Sequence, residues 1–317
     1  MPRAVRFLVH EGAHLWEISS ALEVLSHAEL ARPGSYQWEL VGVQDGMVPT
    51  DLGVELRVHR PDPGRLTTLF IAGCPDFVTT QPQALCELAV TLAARARRTV
   101  ALCSGNFVAA RAGLLAGARA TVHWKQLEAF RSQFPEVEIV PGRLYLDQGP
   151  VWSCAGDVSA LHVTLALVEA DFGPSLASRV ARDMLIYTRR DGMSPQISTL
   201  LNTSTSSNRM RRVVGFIREH LREPLPVERL AEVALLSPRQ FTRAFKNETG
   251  ITPARFIERV RVEEARPMVE NTRLSLGAIA REVGFACEDR MREAFLRVLG
   301  RKPTELRDGR RTGPIAA

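Results

Sequence analysis

Short apolar runs alternate with helical patterns through the first 170 residues, and this alternation limits the fold more than any other feature. The runs Thr68–Ala72 and Thr99–Leu102 are continuously apolar and rich in β-branched residues, as are strands buried on both faces of a parallel sheet. Between them, leucines at 85, 88 and 92 predict a helix over Gln83–Arg97. The alternation therefore predicts an α/β domain with a doubly wound, flavodoxin-like sheet. Further strands are expected at Arg6–Val9, Tyr36–Val43 and Val54–Val58, and further helices at His14–Glu29, Asp157–Glu169 and Pro174–Thr188.

The pattern changes at Ser198–Asn208, where a run of Ser, Thr and Asn is typical of a polar linker. Every later segment has helical periodicity. One pattern occurs twice, on either side of a longer helix at Pro253–Glu270: a short helix, a tight turn and a second helix. This predicts an all-α domain with two helix-turn-helix units. We expect the sheet domain at residues 1–190, a linker at 191–208, the all-α domain at 209–308 and a disordered tail at 309–317. The other helices are expected at Arg209–Leu221, Val227–Val233, Pro238–Glu248, Leu276–Val283 and Glu288–Leu299.

The excess of basic charge lies in the last third of the chain. From Ser207 onward there are 23 basic and 15 acidic residues, whereas residues 1–206 hold 18 and 20. A basic module attached to a nearly neutral domain indicates nucleic-acid binding, although a solvated basic face would give the same count. No apolar run has the roughly 18 residues of a membrane span, and the amino terminus lacks a secretory layout. The five cysteines, none spaced as metal ligands, favour reduced thiols in a cytoplasmic protein without metal or cofactor.

The first helix-turn-helix unit has a second helix with a clear start and two faces. Ser237 suits the N-cap position and Pro238 the first helical position. Phe241 and Phe245 fall on the face that should be buried. The residues expected on the DNA-facing surface are Arg239, Gln240, Thr242, Arg243 and Lys246. Arginine can bind guanine through two hydrogen bonds, and lysine more often neutralises phosphate.

This module resembles the AraC/XylS transcription regulators. The resemblance rests on the segment SPRQFTRAFKNETGITP at 237–253, on REVGF at 281–285 and on the Phe, Gly and Pro spacing at 295–303. It implies two helix-turn-helix units that read successive major-groove faces. It also implies an operator in double-stranded DNA, RNA polymerase and a second copy of the chain as partners, and no membrane.

The second unit departs from the family pattern. Pro267 lies inside the joining helix, where it should kink or weaken the helix. The second recognition helix opens with Glu288 and Asp289, and Glu293 and Leu296 stand where the family has basic residues. We therefore expect the first unit to carry most of the base reading. The second unit is expected to position the DNA backbone through Arg290, Arg292 and Arg297.

A cysteine marks the end of the strand Thr99–Leu102. Cys103 is followed by Ser104 and a helical pattern, which is the layout of a nucleophile elbow. A thiol at a helix N-terminus is expected to have a lowered pKa. His123 and Trp124 follow about twenty residues later. Taken singly, a cysteine such as Cys103 is more often a small buried residue, and a histidine such as His123 is more often an ordinary loop residue.

Together these residues resemble the PfpI-type branch of the class I glutamine amidotransferase-like fold, over roughly residues 4–190. The resemblance also uses LEVL at 22–25, the glycine turn after Phe70, AGLL at 112–115 and TVHW at 121–124. It implies that Glu17 hydrogen-bonds the elbow thiol, that in enzymes of the family the cysteine is the nucleophile and that the glycine turn forms the oxyanion hole. The pocket residues expected here are Glu17, Gly73, Cys74, Cys103, Ser104, His123, Trp124 and Cys154.

One departure from the family favours a sensor over an enzyme, and a second changes the expected ligand chemistry. Cys74 stands where relatives commonly have glycine, which would put a side chain into the anion cradle, and His162 stands where regulators of this branch carry aspartate. We therefore expect a non-catalytic domain that binds a small-molecule effector and a chain that regulates transcription. Three alternatives stay open. They are a thiol-dependent amidohydrolase or glyoxalase-like enzyme with a tethered DNA-binding domain, a redox sensor that uses Cys74, Cys103 and Cys154, and an architectural DNA-binding protein without an effector.

Overall fold

The computed structural model describes residues 2–199 and 207–308. The chain forms two compact units that meet in sequence between Gln196 and Ile197. Residues 191–196, expected in the linker, belong to the first unit, where the Gln196 side chain donates to the carbonyls of Val122 and Arg143 at 2.7 and 2.9 Å. The centre of the polar run, at 200–206, and the tail expected at 309–317 lie outside the described residues.

A mostly parallel sheet forms the centre of the first unit. Its strands follow the order β2-β1-β5-β6-β10-β9; the first five are parallel and β9 is antiparallel to β10. Two small pairs, β3 with β4 and β7 with β8, lie outside this sheet. The strands are β1 (Arg3–Leu8), β2 (Tyr36–Val41), β3 (Gly46–Pro49), β4 (Glu55–Val58), β5 (Leu66–Ile71), β6 (Ala96–Leu102), β7 (Arg119–Ala120), β8 (Glu138–Ile139), β9 (Tyr145–Gln148) and β10 (Val151–Cys154). The predicted doubly wound α/β fold is confirmed.

Helices cover both faces of the sheet. Alternate residues of a strand point to opposite faces, so Phe7 packs in one core while Leu8 packs in the other. The first core is covered by α1 (Leu15–Ala31), α5 (Val158–Phe172) and α6 (Pro174–Asp183), and the second by α2 (Gln83–Ala93), α3 (Gly105–Arg111) and α4 (Leu127–Gln133). Short 3-10 helices occupy Pro75–Val78 and Trp124–Gln126.

The predicted helix Gln83–Arg97 is wrong at its end, because the chain is already in strand β6 at Ala96. The neighbouring Arg98 accounts for this. Its guanidinium is buried, donates to Thr68 Oγ1 at 2.9 Å and pairs with Asp171 at 2.9 Å. A buried arginine with both contacts fixes the strand through long-range partners that helical periodicity does not show.

The second unit is helical and has two cores. The first packs α7 (Asn208–Glu219), α8 (Val227–Ala234) and α9 (Pro238–Thr249) against the first part of α10 (Pro253–Asn271). The second packs the rest of α10 with α11 (Leu276–Glu282), α12 (Glu288–Leu299) and α13 (Pro303–Asp308). Helix α13 was not predicted. Helix α10 continues for four residues beyond Pro267, so this proline does not end the joining helix. Within the described ranges, no helix is long and apolar enough to span a membrane.

Candidate functional site

The carboxyl ends of neighbouring parallel strands bring the predicted pocket residues of the first unit together. Gly73 and Cys74 follow β5, Cys103 follows β6, and Cys154 ends β10. The Cys103 N–H donates to the Cys154 carbonyl at 3.0 Å, and the Cys74 N–H donates to Ser104 Oγ at 2.9 Å. In open α/β sheets, ligands bind beyond these strand ends.

Two residues at this edge have strained backbones. Cys103 has φ 46° and Asp157 has φ 48°, a region that residues other than glycine rarely adopt. Gly156, two residues after the end of β10, has φ 89°. A Cβ at this position would lie 2.8 Å from Cys103 Sγ and still closer to Cys103 Cβ. The glycine therefore makes room for the cysteine. Strain of this kind is concentrated at binding and catalytic sites.

Glu17, in the first turn of α1, lies against the elbow thiol and is only 1% exposed. Its Oε1 accepts the N–H of Asp157 at 3.2 Å, and one of its oxygens lies within 4.8 Å of the Cys103 sulfur. Burial raises the pKa of Glu17 to about 7, against the opposing charge of His14. Because the two acids share one confined space, they do not both ionise readily near neutral pH.

The expected lowering of the Cys103 pKa is wrong. Burial, followed by the negative charge of Glu17, raises the pKa of this thiol, and the N–H of Ser104 opposes the rise only in part. The field at the start of α3 is outweighed, because desolvation of a thiolate costs more than a short helix returns.

His14 brings a third polar group to the thiol and carboxyl pair. Its Nδ1 lies 3.0 Å from Asp51 Oδ2, and Asp51 Oδ1 accepts the N–H of Leu15 at 3.0 Å. Asp51 therefore fixes both the imidazole and the start of α1. One donor atom each from His14, Glu17 and Cys103 lies within 4.8 Å of the others. Sequence reasoning missed His14 and Asp51, since neither stands in a recognisable motif.

His123 and Trp124 lie at the rim of the site. His123 Nε2 is 3.7 Å from Asp157 Oδ2, its Nδ1 accepts the N–H of Lys125, and burial lowers its pKa. Trp124 is half exposed. The side chain of this segment that reaches the thiol is Gln126, whose Nε2 is 3.6 Å from Cys103 Sγ. Sequence reasoning missed Gln126, which contacts the thiol only because a short 3-10 turn follows His123.

The glycine turn after β5 is closed by its own hydrogen bonds. Ser104 Oγ accepts the N–H of Cys74 and donates to the Cys74 carbonyl at 2.7 Å. The Cys74 side chain donates to the Glu11 carbonyl at 3.4 Å. The thiol is thereby directed to the loop after β1, and the Cys74 amide N–H already has a partner within the protein.

The cysteines around the site are all free thiols. Cys154 is fully buried, its Sγ accepts the N–H of Gly156 at 3.5 Å, and burial raises its pKa to about 12. Burial also raises the pKa of Cys74. His162, the residue expected to change the pocket chemistry, is buried in α5 and its Nδ1 accepts the N–H of Arg190 at 3.4 Å.

In the second unit, α9 places three of the predicted DNA-contacting side chains on one face. Arg239, Arg243 and Lys246 are three or four residues apart, are exposed, and form no ion pair with any described residue. Thr242 lies on the same face, and its hydroxyl donates to the Pro238 carbonyl at 2.9 Å.

Gln240, also predicted on this surface, has a structural partner. Its side chain accepts the N–H of Ser237 at 3.2 Å while the Ser237 hydroxyl accepts the N–H of Gln240, forming a capping box. The opposite face of α9 packs through Phe241 and Phe245.

The arginines of α12 are all paired with acids. Arg290 lies 3.2 Å from Glu293. Arg292 pairs with Glu288 and lies 3.6 Å from Asp289. The third, Arg297, lies 2.8 Å from Glu258 of α10 and 3.5 Å from Glu293. The two recognition helices thus differ in available positive charge.

Comparison with known proteins identifies both units. A model of the DJ-1/PfpI family matches residues 3–166, just over half of the chain, and a helix-turn-helix domain model matches residues 230–309. The chain is 24% identical to the HTH-type transcriptional regulator GbdR of Pseudomonas aeruginosa, over 98% of this chain and 86% of GbdR. It is 29% identical to the HTH-type transcriptional regulator GlxA of Rhizobium meliloti, over 66% of this chain and 64% of GlxA.

Solved structures share the fold of the first unit. A structure of an AraC family transcriptional regulator from Pseudomonas putida matches with a TM-score of 0.52 and 24% identity, over 58% of this chain and all of that chain. Drosophila melanogaster DJ-1beta matches with a TM-score of 0.50 and 16% identity, over 59% of this chain and all of that one. The chain belongs to the DJ-1/PfpI family and carries an AraC-type helix-turn-helix domain.

Proposed function

We propose that the protein is a sequence-specific DNA-binding regulator of transcription whose first helix-turn-helix unit reads the operator. The observation that carries this proposal is the exposed face of α9, where Arg239, Arg243 and Lys246 have no acidic partner among the described residues. Such arginines can bind base edges in the major groove, and the lysine can bind phosphate. The names of the relatives GbdR and GlxA agree with this function.

The first unit is proposed to bind a small-molecule effector beside Cys103 without turning it over. Three features of the site support a sensor. The first is the Cys74 N–H, which is already bonded to Ser104, so a reacting oxyanion would have to break that bond. The second is His123, which contacts Asp157 and Lys125 rather than the thiol. The Cys103 thiol also has a raised pKa, which disfavours the nucleophilic thiolate.

Operator binding tested with and without metabolites would examine both parts of the proposal. Genomic fragments selected by the full-length protein would supply the operator, and fluorescence anisotropy would measure its affinity beside unrelated DNA. We expect specific binding that a subset of metabolites changes, and thermal stabilisation by the same metabolites. Equal affinity for operator and unrelated DNA, with a steep salt dependence, would favour an architectural protein.

A second candidate function is thiol-dependent turnover of a small carbonyl or amide compound. The strained backbone of Cys103 beside buried Glu17 favours it, because this layout presents a thiol next to a proton-holding carboxyl group. Turnover of methylglyoxal and of simple amides by the full-length protein tests this alternative, with Cys103→Ser as the control. Activity that disappears in Cys103→Ser would replace the sensor by an enzyme.

The remaining partners follow from the proposed role. A regulator of transcription acts on RNA polymerase, directly or through access to the promoter, and the resemblance to the AraC/XylS regulators implies a dimer. We infer both partners for this chain, and the cytoplasm as the place where operator DNA is bound. Sedimentation of the full-length protein with and without operator DNA tests the dimer.

A further inference from the structure

Three side chains at the first-unit site offer three different metal-binding atoms to one point. His14 supplies an imidazole nitrogen, Glu17 a carboxylate oxygen and Cys103 a sulfur, all within 4.8 Å of one another. Glu17 and Cys103 are buried, and His14 lies at the mouth with its side chain 24% exposed. Ligand atoms around a tetrahedral zinc ion are about 3.5 Å apart, so no pair of the three atoms needs to close by much more than about 1 Å.

Asp51 prepares His14 for a metal. With Nδ1–H donated to Asp51 Oδ2 at 3.0 Å, the lone pair of the neutral ring is on Nε2. Histidines that bind metals in proteins are held in this way by a carboxylate on the other ring nitrogen. Asp51 itself is fixed by the N–H of Leu15, so the imidazole is held from the protein side.

The buried carboxyl group of Glu17 has one oxygen without a hydrogen-bond partner among the described residues. Its Oε1 accepts the N–H of Asp157, but Oε2 is buried and has no hydrogen-bond partner among the described residues. Buried polar atoms are otherwise almost always paired. A cation bound next to Cys103 would give this oxygen a partner.

The mixture of donors selects the kind of cation. Magnesium and calcium prefer oxygen ligands only, and copper(I) prefers sulfur. Zinc accepts nitrogen, oxygen and sulfur together, and three protein ligands leave its fourth position open. On coordination the Cys103 thiol loses its proton to the solvent and binds as thiolate.

We propose that His14, Glu17 and Cys103 form a zinc-class site whose open position binds the effector through a donor atom of its own. This deepens the proposed function, on which it rests, because it assigns to the effector the chemistry of a metal ligand such as a carboxylate, amine or thiol. Cysteine spacing alone predicts no metal here, since the ligands come from β6 and from the segment after β1.

Zinc competition and cobalt spectroscopy on the full-length protein test the site. Chelator-treated, reduced protein is titrated with Zn²⁺ against a chromophoric chelator, and in parallel with Co²⁺. We expect one zinc per chain and a thiolate-to-cobalt charge-transfer band. Cys103→Ser should remove the band and lower zinc affinity by more than about 100-fold, and Asp51→Asn, which keeps the three ligands, should lower it by about 10- to 100-fold.

Matched variants separate this site from other thiols and from misfolding. Cys86→Ser changes a buried thiol of α2, outside the site, and Cys287→Ser changes the exposed thiol; both should keep the band and the affinity. Retained operator binding and an unchanged melting temperature without metal would show that Cys103→Ser and Asp51→Asn are folded. A band that survives Cys103→Ser, or zinc affinity equal in wild type and Asp51→Asn, would overturn the proposal.

Operator binding in the same samples distinguishes a failure of the metal site from a failure of the effector pocket. If zinc does not bind but a metal-independent metabolite releases the operator, the metal site is wrong and the effector pocket stands. If zinc binds at these ligands yet no ligand of the zinc changes operator binding, the metal site stands and effector control through it is wrong.

Discussion

The chemistry of the first unit depends on two neighbouring acids, Glu17 and Cys103. A carboxyl group that is 1% exposed beside a buried thiol cannot be described by its ordinary pKa. Burial, more than any partner, sets the behaviour of both groups. The same burial that disfavours a free thiolate would strengthen its attraction to a cation.

The stability of the folded protein should depend on pH through Glu17. Glu17 has a pKa of about 7 in the folded protein against an ordinary value of 4.5, so the folded state holds this proton more tightly than the unfolded chain. Its contribution to the free energy of unfolding is therefore present below pH 4.5 and is lost as pH rises through 7. The loss amounts to about 3 kcal/mol. Chemical denaturation in chelator at pH 5 and pH 8 should show this decline in wild type and a weaker one in Glu17→Gln. Parallel pH profiles of the two proteins would contradict it.

The arginines of the two recognition helices should differ in their contribution to operator binding. Arg243 of α9 has no ion pair among the described residues, whereas Arg290 of α12 already pairs with Glu293. Arg243→Ala should lower the affinity for the operator, but not for scrambled DNA, by about 5- to 150-fold, because about 1–3 kcal/mol of base discrimination is lost. Arg290→Ala should cause a smaller loss that is similar for both DNAs. Gel-shift titrations with operator and scrambled DNA measure both, and the reverse order of effects would show that α12 reads the bases.

At the scale of elements, the turns that follow the strands hold the side chains of the site. The turn between β10 and α5 contains Gly156 and the strained Asp157, and the turn between β6 and α3 contains Cys103. The two turns touch. A change in one is therefore expected to move the reactive group held by the other.

Substitution of the turn glycine tests this coupling. Gly156→Ala should place a Cβ in collision with Cys103, while Gly149→Ala, at a similarly positive φ of 75°, meets nothing within 4 Å. Both variants bear the backbone strain, so the difference between them isolates the collision. We expect Gly156→Ala to be less stable than the control by about 1–3 kcal/mol and to alter thiol labelling of Cys103. Equal stability and labelling would mean that the turns are independent.

A charge substitution on α12 tests the reason for its weakness. Glu293 lies within ion-pair distance of both Arg290 and Arg297. Glu293→Gln should release Arg290 and leave Arg297 paired with Glu258 alone. It should therefore raise the affinity for DNA of any sequence and steepen the salt dependence. Glu282→Gln, which removes an acid paired with Arg222 outside α12, is the matched control. Anisotropy with unrelated DNA at several salt concentrations reads the result, and no gain over the control would refute the explanation.

Much of the fold could be predicted because local pattern and burial agree. Strands β5 and β6 are buried on both faces, and Ser237 with Pro238 marks the start of α9 through local capping. The rest depends on long-range contacts. The end of α2 is fixed by buried Arg98, and His14 meets Cys103 only when parallel strand ends come together. The direction of the Cys103 pKa shift likewise follows from burial, which no local motif reports.

At the scale of the whole molecule, two units with separate cores should unfold separately. Calorimetry of the full-length protein should show two transitions. Phe245→Ala, in the core of α9, should lower only the transition of the second unit, by about 3–5 kcal/mol of stability. Phe70→Ala is the matched change in the first unit and should lower only the other transition. A single transition moved by both variants would show that the units unfold as one.

The paired arginines of α12 also have a consequence for the ionic conditions in which the protein works. An arginine that is paired with an acid brings little net positive charge to a phosphate. It therefore releases few counterions from DNA. Added salt weakens these internal pairs at the same time as it weakens the attraction to DNA. The two effects oppose each other in the second unit. With its α12 arginines paired in this way, the protein should keep its operator occupied over a wider range of salt concentrations than its number of arginines suggests.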